Sequence, residues 1–269
     1  MNVLSLSTWI YDRLPFEEAA KRVKKSGYTS IELSGWNWVD DVWTVEEVAR
    51  VCEKEKIQVL SVHCNHHALY NKDYWSIDRY EEYHDNLYKS LRIFGNVIVV
   101  EHGLFANSIY AKDALKHLVL LKDLSKKYNH TLTFENVPTT IYQRPEEMDG
   151  LFDDTLKFTF DVAHSAYLDI DPLAFERHFN HMVNAHVYDV VSGVNLSDWA
   201  PVGTGKIDWP RYMNALKKVG YKGPFTIELN EDNFVKVLKI YGKVISPNVI
   251  LDVADQCAIY SREQMEKLL

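Results

Sequence analysis

The sequence predicts an α/β fold, an eight-stranded parallel (β/α)8 barrel, on three observations. Eight short β-rich runs alternate with longer amphipathic runs, the rhythm of parallel strands joined by helical crossovers. From the third run onward, each β-rich run ends at or beside an Asp, Glu or His. The chain has 269 residues, 46% of them hydrophobic, enough for a barrel that ordinarily needs about 250.

The β-rich runs are residues 3–7, 29–33, 58–63, 97–101, 131–135, 157–161, 183–187 and 225–229. Between them the 3.6-residue apolar period marks helices over 15–25, 45–55, 78–92, 112–128 and 209–219, the last with Asp208 as its N-cap. Gly27, Gly95 and Gly220 each follow a helical run just ahead of a β run, where helices commonly end on a left-handed residue. A doubly wound open sheet is the rival architecture, but the glycine-rich nucleotide fingerprint expected after its first strand is missing. No Pro- or Ser-rich linker divides the chain. The expected organisation is therefore one barrel domain over residues 1–269, with a helical extension after about residue 230.

Composition narrows the function. Residues 1–10 are apolar but lack a basic flank or cleavage site, and no run approaches the roughly 18 apolar residues of a membrane helix. Cys52, Cys64 and Cys257 are widely spaced and form no CxxC pair. These features set the expectation of a cytoplasmic protein in a reducing compartment without a membrane partner. The net charge of −8, with no basic run, argues against a nucleic-acid partner.

In such a barrel the C-terminal strand ends point into one mouth. They supply His63, Glu101 with His102, Glu135, Asp161 with His164, His186 and Glu228. A carboxylate closing an apolar run is costly to bury, and several converging carboxylates repel one another. A divalent cation resolves both problems. Three carboxylates and one imidazole suit Mn2+ first, with Mg2+ and Co2+ as alternatives, and added histidines tilt the set towards Zn2+ or Fe2+. Taken singly, Glu135, Asp161 and Glu228 could each be a helix or loop cap, and His186 an interior histidine. Their placement at four consecutive strand ends favours a common ion.

Around this floor, Trp9 and Trp36 directly follow strands and suit the C–H face of a sugar. Trp38, Trp43, Tyr70, Tyr74 and Trp75 read more simply as packing. His63 and His102 are read as substrate contacts, with accessory ligation as the alternative and Glu101 competing with His102 for its role. His66 and His67 read as solvated loop residues. The Gly203-Thr204-Gly205 turn either cradles a substrate phosphate or simply leads the chain into the following helix.

The segments Phe134-Glu135-Asn136, Phe160-Asp161-Val162-Ala163-His164, Ala185-His186-Val187-Tyr188-Asp189, Gly203-Thr204-Gly205-Lys206-Ile207-Asp208 and Thr226-Ile227-Glu228-Leu229 have a telling order and spacing. In that order they resemble the xylose isomerase-like TIM barrel superfamily, which contains sugar isomerases and epimerases and the endonuclease IV family. The resemblance covers strands three to eight. It implies one divalent metal ion held by Glu135, Asp161, His186 and Glu228, with His164 reaching the substrate. It further implies that Glu135 and Glu228 act as the acid/base pair, moving a proton through a metal-stabilised cis-enediolate.

The endonuclease IV branch uses a larger zinc cluster, which His63, His102, Glu135, Asp161, His164, His186 and Glu228 all match. That branch also expects Asp-x-His before the Gly-x-Gly turn, where this chain has Ser197-Asp198-Trp199-Ala200, and tryptophan does not ligate zinc. The epimerase branch expects an arginine six residues beyond His186, where Ser192 stands. The leading expectation is a metal-dependent isomerase or epimerase acting on a small carbohydrate: a sugar, sugar phosphate or related polyol ketone. The alternative is a zinc-dependent phosphodiester hydrolase acting on damaged DNA, and a third class is a non-catalytic carbohydrate- or metal-binding barrel. Homo-oligomers are common in the resembled family.

Overall fold

The computed structural model describes residues 2–34, 43–64, 77–104, 106, 113–191, 199–230 and 247–269. Its strands are β1 Leu4–Ser7, β2 Ser30–Ser34, β3 Gln58–His63, β4 Ile98–His102, β5 Thr131–Glu135, β6 Lys157–Asp161, β7 Met182–Val187, β8 Asp189–Val190, β9 Trp199–Ala200 and β10 Phe225–Ile227. Eight of these close a parallel barrel in the order β1-β10-β7-β6-β5-β4-β3-β2, while β8 and β9 form a separate antiparallel hairpin. All eight expected strands are present, within a residue or two at their ends.

The helices are α1 Phe16–Lys25, α2 Val45–Glu55, α3 Ile77–Leu91, α4 Ala114–Tyr128, α5 Val162–Tyr167, α6 Trp209–Lys218 and α7 Pro247–Leu268. The sequence reading missed α5, which has six residues and is too short to show a period, and the 3-10 segment Pro172–His181 behind β6. Lys56 and Asn129 take the left-handed turn after α2 and α4, at φ 54° and 62°, and Gly27 and Gly220 take φ 87° and 72° after α1 and α6. These residues end the helices where the chain must turn back to a strand. Among the described helices none is long and apolar enough to cross a membrane.

Outward-facing strand residues such as Leu33, Val62, Val99, Phe134, Phe158, Phe160 and Val187 pack under the helices and are almost fully buried. Inward-facing positions are mostly polar: Ser5, Ser61, Thr133, Thr159, Asn184 and Thr226 sit one layer below the mouth with Val100, all buried. Several of them bond between neighbouring strands, Thr159 Oγ1 to Thr133 Oγ1 at 2.7 Å and Thr226 Oγ1 to Asn184 Oδ1 at 3.2 Å. The period of two therefore puts an apolar layer outside the barrel and a mostly polar layer inside.

Beyond residue 230 the described chain supplies α7, which packs on α1, α6, β1 and β10. Its Asp255 is fully buried and receives Tyr11 Oη at 2.8 Å, Lys25 Nζ at 2.9 Å and an Arg22 guanidinium nitrogen at 3.1 Å. Tyr28 Oη donates to the Ala258 carbonyl at 2.8 Å and Arg262 Nε to that of Ser26 at 3.0 Å. Tyr11→Phe removes one donor from a buried carboxylate that keeps two cations. It is expected to lower unfolding free energy by about 1.5 kcal/mol, read as an earlier urea midpoint at unchanged slope.

Candidate metal centre

Four strands deliver the central cluster. Glu135 closes β5, Asp161 closes β6, His186 lies one residue from the end of β7, and Glu228 follows β10 directly. All four are at most 1% exposed. One donor atom from each lies within 4.8 Å of the others, a spacing that one cation can bridge.

Local structure sets their aim. Asn136 pairs with the Asp161 backbone in both directions, its amide donating to the carbonyl at 2.9 Å and its carbonyl oxygen accepting from the N–H at 2.8 Å. This side-chain clamp ties the end of β5 to the end of β6. Asp161 Oδ1 then caps α5, accepting from His164 N at 2.8 Å, which leaves Oδ2 facing the mouth. Cap and candidate ligand are thus two oxygens of one carboxylate, not competing explanations of it.

Histidines complete the mouth. His186 Nδ1 lies 3.0 Å from Glu135 Oε1 and 3.3 Å from Glu228 Oε2. His63 reaches Glu135 Oε2 through Nε2 and Glu228 Oε1 through Nδ1, both at 3.2 Å. His102 Nε2 sits 3.0 Å from Glu135 Oε2 and 2.7 Å from His63 Nε2. His164 Nδ1 is 3.4 Å from Glu135 Oε1 and 3.6 Å from Asp161 Oδ2. The expected residues His63, His102, Glu135, Asp161, His164, His186 and Glu228 therefore share one site.

The electrostatics are those of too many acids in a small space. Burial, then the charges of Glu135 and Glu228, push the Asp161 carboxyl up to about 7. Burial opposes ionisation of Glu135 and Glu228 as well, but the charge of His186 and contacts from the other rings hold both below the usual carboxylate range. Burial would depress the His63 imidazole, yet its contacts with Glu135 and Glu228 raise it to about 10, and Glu32, Glu228 and Glu135 raise His186 likewise. Burial lowers His102, with Glu135 only partly offsetting it.

Glu135 Oε2, Asp161 Oδ2 and Glu228 Oε1 are all buried without accepting a directed hydrogen bond. Carboxylate oxygens aimed inward without such a donor fit a divalent cation, which would take the place of imidazolium charge and relieve the repulsion. The residues present thus fit a metal ion.

Three neighbouring positions are decided by the geometry. Glu101, adjacent to His102 but on the opposite face of β4, does not enter the mouth. It is buried against α3, with Tyr88 Oη at 3.2 Å and His84 Nε2 at 3.5 Å, and so does not compete with His102. The N–H of Gly203 donates to Asp189 Oδ2 at 3.0 Å, so the Gly203-Thr204-Gly205 turn is already closed on an internal carboxylate, and the turn explanation replaces the phosphate cradle. Trp43 packs edge-on to Phe16 and donates to the Leu14 carbonyl at 2.8 Å, a structural position.

Trp9 is half-buried in the 3-10 turn Thr8–Tyr11 that follows β1 at the mouth. Trp36, Trp38, His66, His67, Tyr70, Tyr74, Trp75, Ser192, Ser197 and Asp198 lie outside the described residues. Trp199 pairs with Val190 in the β8–β9 hairpin.

One residue of the site was not anticipated. Glu32 on β2 is fully buried, and its Oε2 lies 3.1 Å from His186 Nε2. The available signal was a lone glutamate inside the apolar Ile31-Glu32-Leu33, whose burial demands a partner.

The family model described as xylose isomerase-like TIM barrel matches residues 20–247. The chain belongs to the xylose isomerase-like TIM barrel family. Over 127 residues it is 30% identical to an uncharacterized protein of Methanocaldococcus jannaschii, a match that covers 45% of this chain and 45% of that protein. Over 134 residues it is 31% identical to the rhizopine catabolism protein MocC of Rhizobium meliloti, covering 42% of this chain and 41% of the relative. The chain thus spans less than half the length of these curated relatives in the matched segments.

Among solved structures, an L-ribulose 3-epimerase superposes with a TM-score of 0.76 at 16% identity, covering 100% of this chain and 95% of the other. The IolI protein with a bound zinc atom superposes with a TM-score of 0.75 at 15% identity, covering 97% of each chain. At these identities the likeness is one of fold.

Proposed function

We propose that this family member is a divalent-metal-dependent isomerase or epimerase of a small sugar, sugar phosphate or related polyol ketone. The observation that carries the reading is the buried set Glu135, Asp161, His186 and Glu228, whose donor atoms fall within 4.8 Å of one another at the barrel mouth. These four residues would hold one ion, Mn2+ first, with Mg2+, Co2+ and Zn2+ as alternatives. Solved structures of like fold include sugar epimerases and a zinc-carrying protein, which supports both halves of the proposal.

When bound, the ion supplies Lewis-acid polarisation of neighbouring carbonyl and hydroxyl oxygens. The remaining chemistry falls to the chain. Glu135 and Glu228 come from strands three places apart around the barrel; they meet opposite nitrogens of His63 and both face Nδ1 of His186. One carboxylate takes the proton from the carbon beside the carbonyl, and the other returns a proton to the opposite face of the planar cis-enediolate. His164, His63 and His102 hold substrate hydroxyls, and Trp9 with Trp36 offers an apolar wall to the sugar's C–H face. We place the protein in the cytoplasm as a soluble enzyme and assign it to carbohydrate metabolism.

A second reading, a zinc-dependent phosphodiester hydrolase, has one observation in its favour. His63, His102 and Glu135 form another donor set within 4.8 Å, sharing Glu135 with the first. One measurement separates the two: elemental analysis of protein purified without chelator, with proton exchange on a panel of ketoses in deuterated water. About one Mn, Co or Mg per chain with exchange beside the carbonyl is the expected result. Two or three Zn per chain without exchange would replace the proposal with hydrolysis, and no metal after reconstitution would undo both.

A further inference from the structure

We propose that Glu32 is a positioning residue that fixes the His186 ring so that Nδ1, not Nε2, is the nitrogen offered to a divalent cation. The proposal rests on the cation reading of the site. Its basis is a convergence of donors on one oxygen. Glu32 Oε2 accepts from Ser61 Oγ at 2.7 Å and from Asn184 Nδ2 at 3.2 Å, and it faces His186 Nε2 at 3.1 Å.

The polarity of this network is set by the carboxylate. Glu32 Oε2 only accepts, so the Asn184 group 3.2 Å from it is the NH2, and Asn184 Oδ1 is left to accept from Thr226 Oγ1 at 3.2 Å. Asn184 Nδ2 also lies 3.3 Å from His186 Nε2. An NH2 group accepts nothing, so the acceptor for an Nε2–H in this pocket is Glu32 Oε2. In the neutral ring that ligates a cation, Nε2 therefore keeps the hydrogen and the lone pair is on Nδ1. That atom faces Glu135 Oε1 at 3.0 Å and Glu228 Oε2 at 3.3 Å, in the centre of the candidate metal set. A carboxylate that accepts from the far nitrogen of a ligand histidine fixes its ring and raises its basicity.

Strand geometry explains how Glu32 reaches this place. β2 and β7 are three places apart in the barrel, and the two side chains meet across its interior. The β2–β3 register shifts between Ile31 and Glu32, which aligns Glu32 with Ser61 and Ser34 with His63. The irregularity sets Glu32 one level below the mouth, beneath His186, with a donor atom within 4.8 Å of donor atoms of His63 and Glu228. Glu32 is fully buried, with Ser61, Asn184 and His186 on Oε2 and His63 Nδ1 3.9 Å from Oε1.

The test uses Zn2+ as a diamagnetic probe on the parent protein, Glu32→Gln and Glu32→Ala. Affinity is read by chelator competition, and the His186 Nε2–H resonance by long-range proton–nitrogen NMR on the Zn2+-loaded proteins. Loss of such an outer partner weakens metal binding by about 10- to 100-fold. Glu32→Gln, which keeps the shape and one acceptor oxygen, is expected near the lower figure, with the Nε2–H signal still present but moved upfield. Glu32→Ala is expected near the higher figure, with that signal lost to solvent exchange. If Glu32→Ala does not fold, Glu32→Gln decides by the same two readings.

Affinity within twofold of the parent in either folded variant would overturn the assignment, as would an unmoved Nε2–H signal. A purely structural role for Glu32 would leave that resonance in place. A parent protein that binds no Zn2+, Mn2+, Co2+ or Mg2+ would overturn the cation reading itself, and this proposal with it.

Discussion

Glu135→Gln is expected to lower turnover by a factor on the order of 10^3, the scale of one positioned proton-transfer group, while the folded protein still binds its cation. The variant keeps the side chain's volume and one oxygen, so the contact of Oε1 with His186 Nδ1 at 3.0 Å can persist. It loses the capacity to take up and return a proton. It also turns an NH2 towards the ring nitrogens of His102 and His63, which now lie 3.0 and 3.2 Å from Oε2. Some loss of cation affinity therefore accompanies the loss of rate.

Isotope exchange separates these effects. With one base serving each face of the substrate, Glu135→Gln should stop exchange from one epimer while Glu228 still supports exchange from the other. Glu228→Gln should show the reverse preference. Unchanged turnover in Glu135→Gln would remove it from the acid/base role, and equal loss of exchange from both epimers at full metal occupancy would break the two-base scheme.

The readable and unreadable parts of this site differ for physical reasons. Glu135, Asp161, His186 and Glu228 could be found because each interrupts an apolar run at the point where a barrel strand meets its mouth, and that position has one meaning in this architecture. Glu32 could not be found that way. It lies inside β2 instead of at its end, and the register shift that brings it beneath His186 is a property of strand pairing. Glu101 misled for the converse reason: it stands beside His102, but the period of two sends neighbouring side chains to opposite faces of β4.

The helices show the same division. Long periodic runs such as α2 and α4 were legible from their apolar spacing. The six-residue α5 is capped by Asp161, which the sequence offered both as a cap and as a ligand, and six residues are too few to show a period.

The largest stability effect is expected at Asp189, three residues beyond His186 and fully buried. Its carboxylate accepts four donors: Val190 N at 3.0 Å and Ile207 N at 3.2 Å on Oδ1, Gly203 N at 3.0 Å and Trp209 Nε1 at 2.9 Å on Oδ2. Through these bonds it holds the start of α6 and the Gly-Thr-Gly turn against β8. At Gly205 the backbone comes so close to Asp189 Oδ1 and the Val190 carbonyl that a Cβ there would overlap both. Asp189→Ala leaves the four N–H groups without their acceptor.

Each orphaned buried donor costs roughly 1–3 kcal/mol, and water entering the space vacated by the carboxylate recovers part of that. A net loss of about 4 kcal/mol follows, to be read from the urea midpoint at unchanged slope. Asp189→Asn should fall between the two, because its amide can still accept on one side but turns an NH2 towards two donors on the other. A loss below about 1 kcal/mol in Asp189→Ala would mean that the turn is held by its backbone bonds, such as Lys206 N to Val190 O at 3.1 Å, and not by the carboxylate. The contrast with Glu135 is chemical. Asp189 has each of its oxygens saturated by N–H donors and so serves as structure, whereas Glu135, Asp161 and Glu228 each keep an oxygen without a directed donor and so remain able to bind a cation.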